Sequence, residues 1–157
     1  MSAYDGLKRV MEPSQEADVS TGDTDFNTRI IEEFRENHGV VGGWFRGTPL
    51  VLLHTTGART GKERVNPLAY MPVDGGIAVF ASKGGSPTNP HWYHNLVANP
   101  QVTIEIGDET KPAVARVTTG DERDRLFAEN VRLHPNFGEY QKKTKRVIPV
   151  IVITPQD

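Results

Sequence analysis

Apolar positions come in short runs separated by turn formers, a rhythm that predicts strands more often than helices. PLVLLHTT at 49–56 reads as a buried strand from its length and its branched, apolar content. RVNPLAYMPV at 64–73 reads as a second, with Pro67 assigning it to an edge or bulge, because proline cannot donate to a sheet ladder. DGG at 74–76 is a tight-turn signal leading into IAVFAS, so a hairpin is expected there. QVTIEIG alternates as a fourth strand, KPAVARVTT follows the turn GDET as a fifth, and VIPVIVIT closes the chain as a sixth.

Helical spacing appears three times. Ile30, Ile31 and Phe34 share a face in a segment that Asp25 and Asn27 can cap and Gly39 can end. HWYHNLVAN follows Asn89 and Pro90, an expected N-cap and first-turn proline, and stops at Asn99 and Pro100. GDERDRLFAENVRLH carries a capping box of Thr119 and Glu122, with Leu126, Phe127, Asn130 and Val131 on one face. Residues 1–24 show weak periodicity and read as a variable, loose leader, so the expected organisation is that leader followed by one domain at 25–157. Strands joined by short turns, with helices at the start, in the middle and before the last strand, predict an α+β fold on an antiparallel sheet or barrel.

Composition narrows the class. A chain of 157 residues suits one core, and 36% hydrophobic with 24% charged residues and no long apolar run fits neither a membrane span nor wholesale disorder. No secretory signal pattern opens it, and the absence of cysteine removes disulfides and thiolate metal sites, so a cytoplasmic location is the default. A net charge of −2 argues against nucleic-acid binding, but its distribution is uneven. Residues 1–38 hold four cations against nine carboxylates, whereas Arg59, Lys62, Arg64 and Lys83 face only Glu63 and Asp74 between His54 and Asn95. QKKTKR at 141–146 is a second basic run, whose simplest reading is solvated surface.

The candidate chemistry sits in HTTGARTGKERVNPL. Three residues separate its glycines where the Walker pattern has four, and Glu63 follows Lys62, so it fails that pattern, and no GxGxxG supports a Rossmann site. Arg59, Lys62 and Arg64 could be a solvated hairpin tip. A second loop, ASKGGSPTNPHWYHN, supplies Ser82, Lys83 and a helix start, and two such loops together suit a ligand with anionic groups at one end and an apolar ring at the other. His54, His91 and His94 lack metal-site spacing, and Ser82 lacks a nucleophile elbow. Trp92 reads as core, and His38 and His134 as surface or pocket residues.

TTGARTGKERVNPLAY, VFASKGGSPTNPHWYHNLVANPQVTIEIG and PNFGEYQKKTKRVIPVIVI together resemble the deazaflavin-dependent nitroreductase family over roughly 47–154. That resemblance implies a split β-barrel of the FMN-binding-protein type and reduced coenzyme F420 as hydride donor. It implies a cationic cradle for the anionic tail at Arg59, Thr60 and Arg64, with Lys62 nearby. Further cofactor contacts are implied at Ala58, at Val65, Asn66, Pro67, Leu68 and Ala69, at Phe80, Ala81, Ser82 and Lys83, at His91, Trp92, Tyr93, His94 and Asn95, and at Phe137. Ser82 and Tyr140 are the expected catalytic residues, one hydrogen bonding near the reacting ring and the other lining the acceptor pocket or supplying a proton.

Where nitroimidazole-reducing members carry tyrosines, this chain has Ala69, His134 and Phe137, so a quinone is the expected acceptor ahead of a nitroaromatic. The alternatives are an FMN-dependent reductase of the same barrel, or a non-catalytic protein that holds F420 or a lipid. A small-molecule acceptor is the expected partner; oligomeric state and peripheral membrane contact stay open.

Overall fold

The computed structural model describes residues 24–156 apart from Arg46, without the side chains of Thr24, Asp25 and Trp44. The expected leader, but for its last residue, and the Asp25 cap therefore lie outside the described residues. Helix α1 spans Thr24–Glu36 and ends in the Phe34 carbonyl's bond with the Gly39 N–H, at 2.8 Å. Gly39 has φ of 93°, and a Cβ there would press on Gly107, so glycine is required.

Seven strands follow: β1 Leu50–Thr56, β2 Glu63–Ala69, β3 Met71–Val73, β4 Gly76–Phe80, β5 Gln101–Ile106, β6 Glu109–Val117 and β7 Val150–Pro155. They form one sheet in the order β2-β1-β5-β6-β7-β4-β3, each neighbouring pair antiparallel. The expected single strand at 64–73 is thus two. At Tyr70, whose N–H bonds the Pro49 carbonyl at 3.2 Å, the chain stops pairing with β1 and begins pairing with β4. Because β2 and β3 are opposite edges of the sheet yet only one residue apart in sequence, the sheet curls until those edges meet, which makes it a barrel. Pro67 does lie on an edge strand.

Alternation along the strands separates three cores. Val51, Leu53, Ile77, Val79, Val102, Ile104, Ala113, Ala115, Ile151 and Ile153 point inward, with Trp92 and Leu96 beside them. Each fully buried branched side chain there contributes about 1.5–3 kcal/mol relative to exposure. Leu50 and Leu52 point outward under Ile30 and Phe34 of α1, which is why the first strand reads as unbroken apolar sequence. Ala78, Phe80 and Val150 point outward under Phe127 and neighbouring helical residues.

Helix α2, His91–Ala98, ends at Asn99 as expected, but Asn89 does not cap it. Its carboxamide oxygen instead accepts from Arg146 at 2.7 Å, and the helix starts after an extended Pro90. Helix α3, Gly120–Leu133, forms without the expected capping box, because Glu122 turns to Arg116 of β6 at 2.8 and 3.0 Å. A short helix α4, Asn136–Lys142, occupies a stretch with no helical expectation. It absorbs the start of QKKTKR, and Arg146 at the end of that run is part-buried rather than a solvated surface charge. No helix among the described residues is long and apolar enough to cross a membrane.

Candidate functional site

Antiparallel pairing from β1 through β5, β6 and β7 to β4 makes β1, β4 and β6 run the same way, so their C-terminal ends share one mouth of the barrel. The β1–β2 loop, the segment between β4 and α2, and the approach to β7 all emerge there. Trp92 and Leu96 of α2 are 4% and 2% exposed and pack into the interior. The two loops singled out from sequence are therefore neighbours.

Their junction is Asn95. Its side-chain oxygen accepts the Ala58 N–H at 2.9 Å, and its nitrogen donates to the Thr55 hydroxyl at 3.2 Å, tying α2 to the loop after β1. That loop also holds itself. Gly57 donates to the Lys62 carbonyl at 2.7 Å and Gly61 to the Gly57 carbonyl at 2.9 Å, while the Thr60 hydroxyl accepts from the Lys62 N–H at 3.2 Å. A Cβ at Gly57 would meet that Thr60 hydroxyl at 2.7 Å and the Lys62 carbonyl at 3.2 Å, so a larger residue there would disturb the turn's own bonds.

Arg59, Lys62 and Arg64 are exposed, and among the described residues none has an acid partner. The one acid in their loop faces elsewhere: Glu63 meets His54 Nδ1 at 2.9 Å on the outer face, where His54 Nε2 also meets Glu105 at 2.5 Å. Arg35 of α1 completes the outer cluster with bonds of 2.6 and 3.1 Å to Glu105, and its guanidinium holds that carboxyl below the usual carboxylate range. Asp74 lies in the β3–β4 turn at the far end of the barrel. Positive charge at the mouth thus stays uncompensated by either nearby acid, which favours an anionic ligand.

Directly paired residues share a face, so Arg64 lies on the inner side with Thr55, Asn66 with Leu53, and Leu68 with Val51. Asn66 is 6% and Ser82 8% exposed, and neither side chain has a hydrogen-bond partner among the described residues, although their polar atoms are not sealed from solvent as Asn27 Oδ1 and Asn130 Nδ2 are. Two polar side chains without protein partners at one mouth leave their donors and acceptors open to a ligand. Val65 and Ala69 face outward under α1. Phe80 and Phe137 meet at 5.8 Å in the outer core with their planes tilted by 57°, Ala81 is fully buried, and Trp92 is core. The structure does not bring the side chains of Phe80, Ala81 and Trp92 to the mouth, whereas Phe137 is only partly buried and its ring meets Tyr140 at 5.3 Å. His91 and His94 are exposed on α2, and Tyr93 packs beside His94 at 5.5 Å.

Ala81 ends the inner run of Ile77 and Val79; Ser82 follows outside the strand with helical backbone angles, and Lys83, Gly84 and Gly85 come next with φ of 47°, 63° and 86°. A Cβ at Gly85 would overlap the Tyr140 carbonyl, which brings α4 against this turn. The Tyr140 hydroxyl accepts from Asn136 Nδ2 at 3.1 Å, and its ring meets Phe137 at 5.3 Å. His134 sits on the other side of Phe137, and burial pulls its imidazole below the ordinary value, leaving it neutral at pH 7. Sequence reasoning missed Thr55, Gln141 and Arg146. No local pattern separates Arg146 from its lysine neighbours, except that only arginine carries a five-donor fork.

A family model described as F420H(2)-dependent quinone reductase matches residues 27–155. The F420H(2)-dependent quinone reductase Rv1261c of Mycobacterium tuberculosis (strain ATCC 25618 / H37Rv) is 38% identical over 125 residues, 77% of this chain and 84% of that one. A solved F420-H2 Dependent Reductase (FDR-A) is 44% identical with a TM-score of 0.62, covering 67% of this chain and 93% of its own. Another solved structure, described as a domain-swapped dimer, is 40% identical with a TM-score of 0.64 over 83% and 98% of the two chains.

Proposed function

The chain belongs to the F420H(2)-dependent quinone reductase family, and on that premise we propose that this F420-dependent reductase works at the barrel mouth, with a quinone as its acceptor. The observation that carries the site is the mouth's pairing of three uncompensated cations with two buried polar side chains that lack partners. A polyanionic cofactor tail fits the first feature, and a heteroaromatic ring with polar edges fits the second. Arg59 and Arg64, with Lys62 beside them, hold the tail through charge-assisted hydrogen bonds. Thr60 and Ala58 shape that cradle through the turn, and Asn95 fixes it to α2. Asn66 and Ser82 supply hydrogen bonds to the ring's edge, with Leu68 against its face. When bound, the reduced deazaflavin supplies a hydride.

A quinone that accepts hydride also takes up a proton to become a quinol, and Tyr140 is the residue assigned to deliver it. Asn136, donating to the Tyr140 oxygen, fixes the hydroxyl's orientation. Around it Phe137 and a neutral His134 make an apolar wall, which suits a flat quinone. A nitroaromatic is the second reading: near Tyr140 neither residue supplies a hydroxyl, while Ala69 packs under α1, away from this wall.

Stopped-flow oxidation of F420H2 by a panel of quinones and nitroaromatics tests the proposal. Quinones are expected to be the faster class, with Ser82→Ala and Tyr140→Phe each slowing the hydride-transfer phase about tenfold to a hundredfold. Tight F420 binding with no turnover by any quinone would replace the enzyme reading with storage.

A further inference from the structure

Arg146 lies in the connector between α4 and β7, part-buried, and it faces no carboxylate among the described residues. Its guanidinium donates to four acceptors in one segment: the Ala81 carbonyl at 3.0 Å, the Ser82 carbonyl at 2.7 Å, the Ser86 carbonyl at 2.9 Å and Asn89 Oδ1 at 2.7 Å. Other bonds also hold that segment: the Ala81 N–H donates to the Pro149 carbonyl at 3.0 Å, Lys83 Nζ to the Thr88 hydroxyl at 3.3 Å and the Thr88 N–H to the Ser86 hydroxyl at 3.4 Å, but none of these spans it as the guanidinium does. The segment contains three successive left-handed residues, one of them the non-glycine Lys83, and prolines at 87 and 90 remove two donors. Its backbone bonds around the turn are Gly85 N–H to Ser82 O and Ser86 N–H to Lys83 O.

Arg146 is itself held in place. Gln141 of α4 donates to its carbonyl at 2.7 Å and accepts from the Ile148 N–H and from Arg123, both at 3.0 Å. Arg123 in turn grips the Ile148 carbonyl at 2.9 and 3.1 Å. The connector is thus fixed to α3 and α4, and through one guanidinium so is the loop that carries Ser82 and feeds α2.

We propose that Arg146 is a positioning residue, a four-point brace that sets the placement of Ser82 and the start of α2, and through them the affinity of the mouth for F420. This rests on the reading that the loop borders the cofactor. A lysine keeps the charge but offers a point donor that cannot span four acceptors, so geometry and charge are separable.

The test uses full-length Arg146→Gln and Arg146→Lys, with Lys145→Ala as control. Amide hydrogen exchange is measured without ligand, and F420 affinity by fluorescence titration. Arg146→Gln is expected to speed exchange across 82–89 at least tenfold, with β1, β5 and β6 unchanged, and to weaken F420 binding at least tenfold. Arg146→Lys is expected to lose at least threefold in affinity, and the control nothing. Unchanged exchange across 82–89 in Arg146→Gln overturns the brace; an Arg146→Lys protein that binds F420 like the wild type overturns its geometric basis. Faster loop exchange with F420 affinity intact overturns the link to binding. A wild-type chain that does not bind F420 instead defeats the cofactor reading, while ligand-free exchange still judges the brace. If Arg146→Gln does not fold, Asn89→Ala, which removes one acceptor, replaces it and must raise exchange in the same segment with β1, β5 and β6 unchanged.

Discussion

Asn95→Ala removes the strut between α2 and the cationic loop, and its cost can be built from its two bonds. Asn95 is 9% exposed and Thr55 2%, so the Thr55 hydroxyl loses its donor where water scarcely reaches, while the Ala58 N–H sits in an exposed turn and can turn to solvent. Stranding a buried hydroxyl costs about 1–3 kcal/mol and exchanging a hydrogen bond for water about 0.5–1 kcal/mol, so the total spans roughly 1.5–4 kcal/mol, with about 2–3 kcal/mol at its middle. For a chain of this size that lowers Tm by about 5–10 °C in a calorimetric scan. The freed loop must then be ordered on binding, which weakens F420 by about tenfold. Asn95→Asp separates the two effects. A carboxylate still accepts from Ala58, and the Thr55 hydroxyl can reverse and donate to it, so stability falls less than with alanine. The new negative charge beside Arg59, Lys62 and Arg64 nonetheless lowers F420 affinity. A melting temperature for Asn95→Ala within about 1 °C of wild type, or a normal F420 affinity in both variants, would refute the strut.

Arg59→Ala and Arg64→Ala each delete a charge-assisted contact worth about 1.5–3 kcal/mol, so the F420 Kd should rise roughly tenfold to a hundredfold, and titrations at low and high salt should converge. Glu105 gives a pH signature. Its carboxyl is held low by Arg35 and then His54, so its contribution is present above the ordinary glutamate range and disappears as pH falls through its depressed folded value. Melting curves taken from neutral to acid pH should therefore fall less steeply for Arg35→Met than for wild type in that acid window; because the Arg35 side chain is 51% exposed, the difference is modest. Gly76→Ala drives a Cβ into the Ile153 carbonyl of the paired strand, where only backbone can yield, and should destabilise by about 2 kcal/mol or more in denaturant titration.

Strand content, the β3–β4 hairpin and the helical faces were legible because each depends on a period or a turn within about ten residues. The split barrel expected from the antiparallel pattern and the family resemblance is what the sheet forms, but where it closes was not legible, since Tyr70 changes partners within what reads as one strand, and only the sheet order reveals that its halves are opposite edges. The cationic loop was legible as composition. Its freedom from Glu63 was not, because that depends on His54 facing outward across the strand pair. Two capping expectations failed for one reason: an arginine outside the helix takes the capping group, Arg146 from 57 residues away binding Asn89 and Arg116 from six residues away on β6 binding Glu122. The helix at 136–142 lacks a clear apolar face and has no fully buried residue, so its pattern carried little signal.

Helix α2 stands between the two polar devices that shape the mouth, and this makes their independence testable. Arg146 holds Asn89, two residues ahead of the helix, and Asn95 within the helix holds Ala58. If α2 moves as a rigid piece, loosening its entry also tilts Asn95 away from Ala58, so the second substitution finds part of its damage already done. A double-mutant cycle on F420 affinity with Arg146→Lys and Asn95→Ala should then be sub-additive by about 0.5–3 kcal/mol, the range found for residues that share a network. Two loops merely adjacent would give additivity within about 0.3–0.5 kcal/mol. Hydrogen exchange on the single variants decides the direction: Arg146→Lys must raise exchange at the Ala58 amide, 37 residues from Asn95 in sequence, whereas a loop that only frays locally leaves that amide protected.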